Sequence, residues 1–327
     1  MLKCSEARST FKTGRVSLLK KLRAYKKTNG ASLISCRFVL TVCILVPLIL
    51  VFGTYQVFSE GLRQVGERFK DCAICPEMIV IPGGELRVAG VSPGAEKEPR
   101  ILKVPRKFAI SIYEITNADW ENCEFWEGCK RAALHKRGEE RDFGWREWKG
   151  TRPVADVTWE ESVSYAIWLS SLAKESYWLP TELEWEYAAR SGLIEESPWL
   201  GANKRSCDFA NLAIHSGCSD GYRGSAPVGS YSSNRFGLYD MVGNVSEWTA
   251  SCSGNMLGSA VDLGRHPVMD SFKLSKYGEE VLGCNAMVYR GGNWSSQVES
   301  FKFSARRALA RGKTAETLGF RVVRLVQ

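Results

Sequence analysis

A stretch of 22 residues without a charged side chain, from Phe38 to Ser59, divides the chain into two unequal parts. An α-helix needs about 20 apolar residues to cross the hydrocarbon core of a bilayer. A buried core helix of this length would rarely lack charge, and a cleaved signal peptide would have a shorter basic leader and a small-x-small cleavage site. The stretch therefore predicts one uncleaved transmembrane helix over residues 38–59.

Charge is distributed unevenly around this stretch. Residues 1–37 hold ten Lys and Arg side chains against one acidic residue, Glu6, whereas the whole chain has a net charge of only +8. The positive-inside rule keeps such a segment in the cytoplasm and exports the part of the chain beyond the helix. Residues 1–37 are therefore predicted to form a cytoplasmic tail at the cell membrane, and the part after residue 59 to be periplasmic or extracellular. Because the exported part has almost no net charge, it lacks the basic face of a nucleic-acid-binding domain.

The cysteines support export. Eight of them come after the predicted helix, and an even number in an exported domain indicates a disulfide framework. Eight cysteines allow 105 pairings, and the local spacing favours Cys72–Cys75, Cys123–Cys129, Cys207–Cys218 and Cys252–Cys284. A redox or zinc site at Cys72 and Cys75 is the alternative, although zinc needs two further ligands and the sequence has no second Cys-x-x-Cys motif.

Local patterns in the exported part predict a short stalk over residues 60–75 and one domain over residues 76–327. Residues 78–88, MIVIPGGELRV, indicate a strand, a Pro-Gly-Gly turn and a second strand. Three helix starts carry a Thr and, three residues later, an acidic residue, the pattern of a capping box. They are Thr116 with Asp119, Thr158 with Glu161, and Thr181 with Glu184. Gly192 stands where a left-handed residue ends the third helix, and capping and solvation account for Glu184 and Glu186. After residue 193 the periodicity fades, which predicts short strands and long loops tied by disulfides.

Seven segments appear in order within this domain: MIVIPGGELRV, YEITNADW, PVADVTWEESVSYAIWLS, YWLPTELEWEYAARSG, APVGSYSSNRFGLYDMVGNVSEW, YRGGNWS and LGFRVVR. Together they resemble the formylglycine-generating enzyme, or sulfatase-modifying factor, family from about residue 78 to residue 326. The resemblance implies a single α+β domain of the formylglycine-generating-enzyme fold, which is related to C-type lectins and has little regular secondary structure.

The resemblance also implies two calcium sites, built from the carboxylate, amide and carbonyl oxygens that calcium prefers. Each site is expected to use two side chains and two backbone carbonyls. The residues are Asn211, Leu212, Asp220 and Tyr222 in the first site, and Asp240, Gly243, Val245 and Glu247 in the second. Taken without the resemblance, carboxylates in such loops are more often solvated or capping.

The copper-dependent enzymes of the family oxidise a substrate cysteine at two active-site cysteines, whose soft thiolates suit Cu(I). In those members the first cysteine comes four residues after the second glycine of an Arg-Gly-Gly motif, and the second cysteine comes five residues later. With the motif at residues 290–292, these positions are Ser296 and Phe301, and no cysteine comes after Cys284. The sequence therefore argues against copper chemistry and identifies no catalytic residue.

Non-haem iron is the cofactor of a second enzymatic branch of the family, and such sites typically use two His and a carboxylate. The chain has only His135, His215 and His266, and none are spaced as His-x-x-x-His or His-x-Glu. Iron stays an alternative that the histidine spacing does not support.

The segment after the Arg-Gly-Gly motif lines the peptide groove in this family, and aromatic and Arg side chains are typical of recognition surfaces. The groove residues expected here are Trp294, Ser296, Phe301, Arg306 and Arg307, although core packing or solvation would explain each one singly. We expect a membrane-anchored, calcium-stabilised accessory module that binds an exported peptide, protein or glycan without cysteine oxidase activity. The alternative is a family oxidoreductase, formylglycine-generating-like or iron-dependent, that acts on an exported peptide or protein.

Overall fold

The structure describes eight parts of the chain. In the computed structural model these parts are residues 63–88, 100–130, 150–194, 209–213, 221–222, 224–254, 284–297 and 301–326. The predicted cytoplasmic tail, the predicted transmembrane helix and the Cys207–Cys218 pair lie outside these residues. Within them, no helix is both long enough and apolar enough to cross a bilayer.

Three α-helices begin at the three predicted capping boxes. They are α1 (Asn117–Phe125), α2 (Trp159–Ala173) and α3 (Glu182–Arg190). In each box the Thr hydroxyl accepts a hydrogen bond from the N–H of the acidic residue, whose carboxylate accepts one from the Thr N–H. These bonds satisfy backbone N–H groups that the first turn of a helix leaves without partners. Helix α3 ends at Ser191 and Gly192, both with positive φ, so the left-handed end is confirmed at Gly192 and begins one residue earlier.

The strands of the described residues form three sheets. The five-stranded sheet is antiparallel, in the order β1 (Arg68–Phe69), β2 (Met78–Ile81), β5 (Phe108–Ser111), β11 (Val323–Leu325) and β6 (Tyr177–Trp178). The four-stranded sheet has the order β10 (Leu318–Phe320), β7 (Ser246–Cys252), β8 (Ala286–Arg290) and β9 (Arg307–Ala310), with only β10 and β7 parallel. The third sheet pairs β3 (Gly84–Val88) with β4 (Arg100–Val104).

The C-terminal segment joins the two larger sheets. Strands β10 and β11 belong to different sheets, yet only Arg321 and Val322 separate them. The predicted strand, turn and strand over residues 78–88 are confirmed as β2 and β3, although each pairs with a different neighbour. The chain therefore has the mixed α+β fold with few helices that the sequence predicted.

The domain begins earlier than the sequence indicated. Strand β1 lies in the predicted stalk but pairs with β2, and Phe69 is buried. Asp71 accepts a hydrogen bond from the hydroxyl of Tyr177, which is 106 residues away in the chain. The described part of the predicted stalk thus belongs to the folded domain. Its composition could not show this, because the contacts that fix it are made with distant strands.

Three of the four predicted disulfides lie within the described residues, and all three are formed: Cys72–Cys75, Cys123–Cys129 and Cys252–Cys284. The buried apolar side chains of the described residues form two hydrophobic clusters, one around helices α1 and α2 and one around helix α3. All nine residues of α3 are buried. Because this helix carries charged side chains, its burial requires partners for them.

Candidate functional site

An open pocket lies where the sequence places the two missing cysteines. It is lined, among the described residues, by Ser246, Tyr289, Arg290, Gly291, Gly292, Ser296, Phe301, Ala305 and Arg307. Its cavity volume is about 30 Å³, and it opens to solvent. Ser296 and Phe301 therefore share one pocket, together with a third predicted groove residue, Arg307.

Two consecutive glycines turn the chain into the pocket at the end of β8. Gly291 and Gly292 have φ values of 97° and 67°, a region that glycine enters without the strain of a side chain. A Cβ on Gly291 would also lie 3.1 Å from the ring of Trp185. The next turn is closed by Asn293 and Ser296: the Asn293 N–H donates to the Ser296 hydroxyl oxygen (3.0 Å), and the Ser296 N–H donates to the Asn293 carbonyl (2.8 Å). This backbone fixes the position of Ser296.

Neither cysteine-equivalent position offers a soft metal ligand. The hydroxyl of Ser296 takes part in the turn, and the ring of Phe301 packs edge-on against Phe303, with centroids 5.6 Å apart and planes at 80°. A thiolate suits Cu(I), whereas a neutral hydroxyl is a poor ligand for it and a phenyl ring is none. The described lining of the pocket contains no thiol, so it lacks the copper ligands of the resembling enzymes.

A chain of buried ion pairs connects the pocket to helix α3. Arg290 donates to Glu182 (2.6 Å) and to Glu186, and Arg190 donates to Glu186 through its Nε (2.8 Å). Arg306 adds a further pair, with Nε 2.9 Å from both carboxylate oxygens of Glu182. Solvation, which the sequence suggested for Glu186, is wrong, because this side chain is fully buried and paired with two arginines. Breaking such a network leaves a buried charge without a partner.

Two other predicted groove residues lie outside the pocket lining. Arg306 is bound to Glu182 and also donates to the carbonyls of Cys252 and Ser253 (3.2 Å each). Trp294 is half-buried, and its buried indole N–H has no acceptor among the described residues. Arg306 is therefore occupied by structural contacts, whereas Arg307, which lines the pocket, is exposed.

The two loops predicted to hold calcium lie against each other. Asn211 forms a parallel bridge with Gly243, and the N–H of the residue after Gly243 donates to the Asn211 carbonyl (2.8 Å). Leu212 is buried and Tyr222 is exposed. Asp220 lies outside the described residues, so the first calcium site stays a prediction.

In the second loop, Asp240 and Glu247 are both buried but have different partners. One oxygen of Asp240 accepts a hydrogen bond from the Gly229 N–H (2.7 Å). Both oxygens of Glu247 accept from Arg321 (2.7 Å each), and one also accepts from the indole N–H of Trp185 (2.7 Å). Glu247 thus forms a buried ion pair with Arg321.

A third carboxylate, Glu114, faces the same loop. It accepts hydrogen bonds from the side chain of Asn244 (2.6 Å) and from the N–H of the next residue (3.0 Å). Burial raises the pKa of Glu114 well above its usual range, and the charges of Asp240 and Glu247 raise it further. Burial also raises the pKa of Asp240 to about 6. Among the described residues, three buried carboxyl groups therefore lie near one arginine, Arg321, which pairs with Glu247.

This arrangement fits a cation at Asp240 but not at Glu247. The second carboxylate oxygen of Asp240 makes no hydrogen bond with the described residues, and Asp240 forms no ion pair with them. The three hydrogen bonds that Glu247 accepts from Arg321 and Trp185 leave it poorly placed to turn towards a metal. Across the described ranges, no three or more His, Cys, Asp or Glu side chains are grouped to hold a metal ion. The histidines considered for iron, His135, His215 and His266, fall outside those ranges.

Sequence reasoning missed Glu114, Glu182 and the role of Arg290. Glu114 meets its partners across 130 residues of chain, and Arg290 meets Glu182 across 108. The one available signal was the spacing of Glu182, Glu186 and Arg190 along a helix, four residues apart on one face.

Comparisons with known proteins agree with this geometry. The family described as "Sulfatase-modifying factor enzyme 1-like domain" matches residues 64–326. The formylglycine-generating enzyme of Thermomonospora curvata is 39% identical over 105 residues, which cover 30% of this chain and 33% of that enzyme. The inactive C-alpha-formylglycine-generating enzyme 2 of Bos taurus is 32% identical over 222 residues, which cover 53% of this chain and 70% of the relative.

A solved structure has the same fold over most of the chain. PvdO from Pseudomonas aeruginosa superimposes with a TM-score of 0.64 at 28% sequence identity, over 80% of this chain and 99% of that one. The share of each curated relative that the chain matches varies. It is about a third of the length of the Thermomonospora enzyme and 70% of the Bos taurus relative.

Proposed function

The chain belongs to the sulfatase-modifying factor enzyme 1-like domain family, and on that premise we propose that it is an exported ligand-binding or accessory module without cysteine oxidase activity. One observation carries the proposal: Ser296 and Phe301 occupy, in one pocket, the positions at which the copper-dependent relatives are expected to hold two thiolates. Cysteine oxidation by those enzymes depends on a soft metal ligand pair. A module of this kind binds its ligand without converting a thiol to an aldehyde.

The surroundings of the pocket support retention of the binding surface. The Gly291–Gly292 turn, the ion pairs of Arg290 and the short turn at Ser296 define a formed cavity without any thiol in its described lining. The name of the Bos taurus relative describes that protein as inactive, which is consistent with loss of the chemistry in another member. The proposed ligand is an exported peptide, protein or glycan.

Anchoring and calcium complete the proposal. The uncharged stretch over residues 38–59 holds the domain at the cell membrane, with the basic tail in the cytoplasm. Calcium, held at Asp240 and by carbonyls of its loop, would offset the electrostatic repulsion among the buried carboxyl groups near Glu114 and brace the loop. In this role calcium is structural, and no step of ligand binding passes through it.

The test uses the full chain, purified from membranes without chelator. The protein is incubated with a synthetic peptide that contains one cysteine, and mass spectrometry reports any aldehyde. Elemental analysis of the same sample gives its metal content. We expect no aldehyde, and calcium rather than copper or iron. An aldehyde, or one copper or iron per chain, overturns the proposal; stoichiometric iron favours the alternative oxidoreductase.

The double variant Ser296→Cys with Phe301→Cys is the matched control. It restores thiols at the two pocket positions and leaves the glycine turn and the ion pairs unchanged. Binding of Cu(I) by this variant and not by the natural chain shows that the missing thiols account for the missing metal. Equal copper binding by both proteins contradicts that explanation.

A further inference from the structure

We infer that the pocket at Ser296 recognises a carboxylate group on an exported peptide. This inference rests on the proposed function, since it takes the pocket as the ligand site, and it names the chemistry of the ligand. Two of the nine described lining residues are charged, and both are arginines, Arg290 and Arg307. The described lining therefore presents positive charge and no acidic side chain.

The two arginines differ in how they are compensated. The guanidinium of Arg290 is paired with Glu182 and Glu186. Arg307 is exposed at the start of strand β9 and forms no ion pair with the described residues. An anion in the pocket would thus meet one guanidinium whose charge is not already neutralised by the described part of the protein.

Two groups of the pocket can donate a hydrogen bond but have no acceptor among the described residues. The Nε of Arg290 is buried and has no hydrogen-bond partner among the described residues. The hydroxyl of Ser296 accepts a hydrogen bond from Asn293 but donates none within the same ranges. The guanidinium of Arg307 adds a set of donors in a planar fork. A ligand that supplies acceptor oxygens and negative charge complements this set, and a cationic ligand does not.

A planar carboxylate matches the fork geometry of a guanidinium with two parallel hydrogen bonds. The rings of Tyr289 and Phe301 form apolar walls beside the arginines, and such walls strengthen a charged contact by lowering the local dielectric constant. A neutral amide of the same shape lacks the charge and brings its own N–H donors to a site that is rich in donors. The pocket should therefore discriminate a Glu or Asp side chain from Gln or Asn.

An edge strand beside the pocket favours a peptide as the carrier of this carboxylate. Strand β9 begins at Arg307 and, in the described part of the chain, pairs only with β8. The other edge of such a strand presents N–H and C=O groups that an extended peptide can pair with. A peptide lying along β9 would bring its side chains next to Arg307.

The experiment measures binding of two isosteric probes, N-acetyl-glutamate N-methylamide and N-acetyl-glutamine N-methylamide. The full chain is placed in lipid nanodiscs, empty nanodiscs serve as the reference, and binding is followed by saturation-transfer NMR. We expect the glutamate probe to bind at least about tenfold more tightly, as a hydrogen bond to a charged group would give. Inorganic sulfate and phosphate are titrated in parallel as competitors.

Three variants locate the site. Arg307→Gln should abolish the preference for the glutamate probe. Arg311→Gln is the matched control, because Arg311 comes directly after the same strand, pairs with Glu160 and does not line the pocket; it should retain the preference. Ala305→Glu places a carboxylate in the pocket wall and should weaken binding of the glutamate probe at least about tenfold, by charge repulsion and competition for the arginines.

Equal binding of the two probes overturns the inference, as does an equal loss in Arg307→Gln and Arg311→Gln, which would indicate only the general surface charge. Sulfate or phosphate binding about tenfold more tightly than the glutamate probe also overturns it, since the site would then be selective for a different oxyanion. These failures differ from failure of the proposed function, which is detected as an aldehyde or a redox metal whichever probe binds.

Discussion

Replacing Arg321 with Met tests whether one buried ion pair holds the two larger sheets together. Arg321 is fully buried and donates to both oxygens of Glu247 on β7, to the carbonyl of Ser111 on β5 and to that of Tyr239. Removing one member of a buried pair costs about 3–5 kcal/mol, because the other charge is left without a partner. Each lost bond to a carbonyl adds about 1 kcal/mol. We expect Arg321→Met to lower the free energy of unfolding by at least about 4 kcal/mol.

The assay is urea unfolding of the full chain in mild detergent, monitored by tryptophan fluorescence and analysed by linear extrapolation. The double variant Glu247→Gln with Arg321→Met should recover at least about 2 kcal/mol relative to Arg321→Met, since it removes the stranded charge. Arg311→Met is the control: its pair with Glu160 is exposed, and its loss should cost less than about 1 kcal/mol. The reasoning is refuted if Arg321→Met costs no more than this control, or if the double variant is the least stable of the three.

Three further predictions concern pH, cross-linking and a close contact. In calcium-free buffer, the pKa of Asp240, raised from 3.8 to about 6, means that the folded state holds the proton more tightly than the unfolded chain. Stability should therefore fall by about 3 kcal/mol as the pH rises from about 4 to 6, and urea titrations of Asp240→Asn should show a smaller fall. Replacing both cysteines of Cys252–Cys284, which closes a loop with a sequence separation of 32, should lower stability by about 4 kcal/mol, against about 2 kcal/mol for Cys72–Cys75; equal losses would contradict the loop-length argument. Gly243→Ala should cost about 2 kcal/mol more than Gly150→Ala in the same assay, because both glycines have positive φ but only at Gly243 would the new Cβ lie 2.1 Å from a backbone oxygen.

Features set by neighbouring residues were predictable from the sequence. The three capping boxes depend on side chains three residues apart, and the structure forms all of them. The three described disulfides join cysteines that are close in sequence or consecutive among the described ones. The pocket positions Ser296 and Phe301 could be found because a short motif, Arg-Gly-Gly, fixes their spacing.

Features set by distant residues were not predictable in this way. Helix α3 has the composition of a solvated helix, yet all of its residues are buried. Its carboxylates can be buried because Arg290 of β8 and Arg306 form ion pairs with Glu182. The role of Glu114 has the same origin, since its partners lie 130 residues further along the chain. The start of the domain was placed too late because strand β1 is only two residues long and is recognisable only by its pairing with β2. A single sequence contains no local pattern that indicates such long-range contacts.

The contacts that shape the pocket do not involve the thiol side chains that would bind copper. The two cysteine-equivalent positions could therefore change without loss of the fold. The pocket is shaped by the Gly291–Gly292 turn, by the bonds between Asn293 and Ser296, and by the ion pairs of Arg290. None of these contacts needs a thiol. Phe301 goes further, because its buried ring packs against Phe303 and adds apolar contact where a metal ligand would have to keep a polar atom accessible. Substitution at these two positions therefore removes the thiol pair and leaves a formed cavity, lined by an arginine that has no ion pair with the described residues, as the proposed ligand-binding role requires.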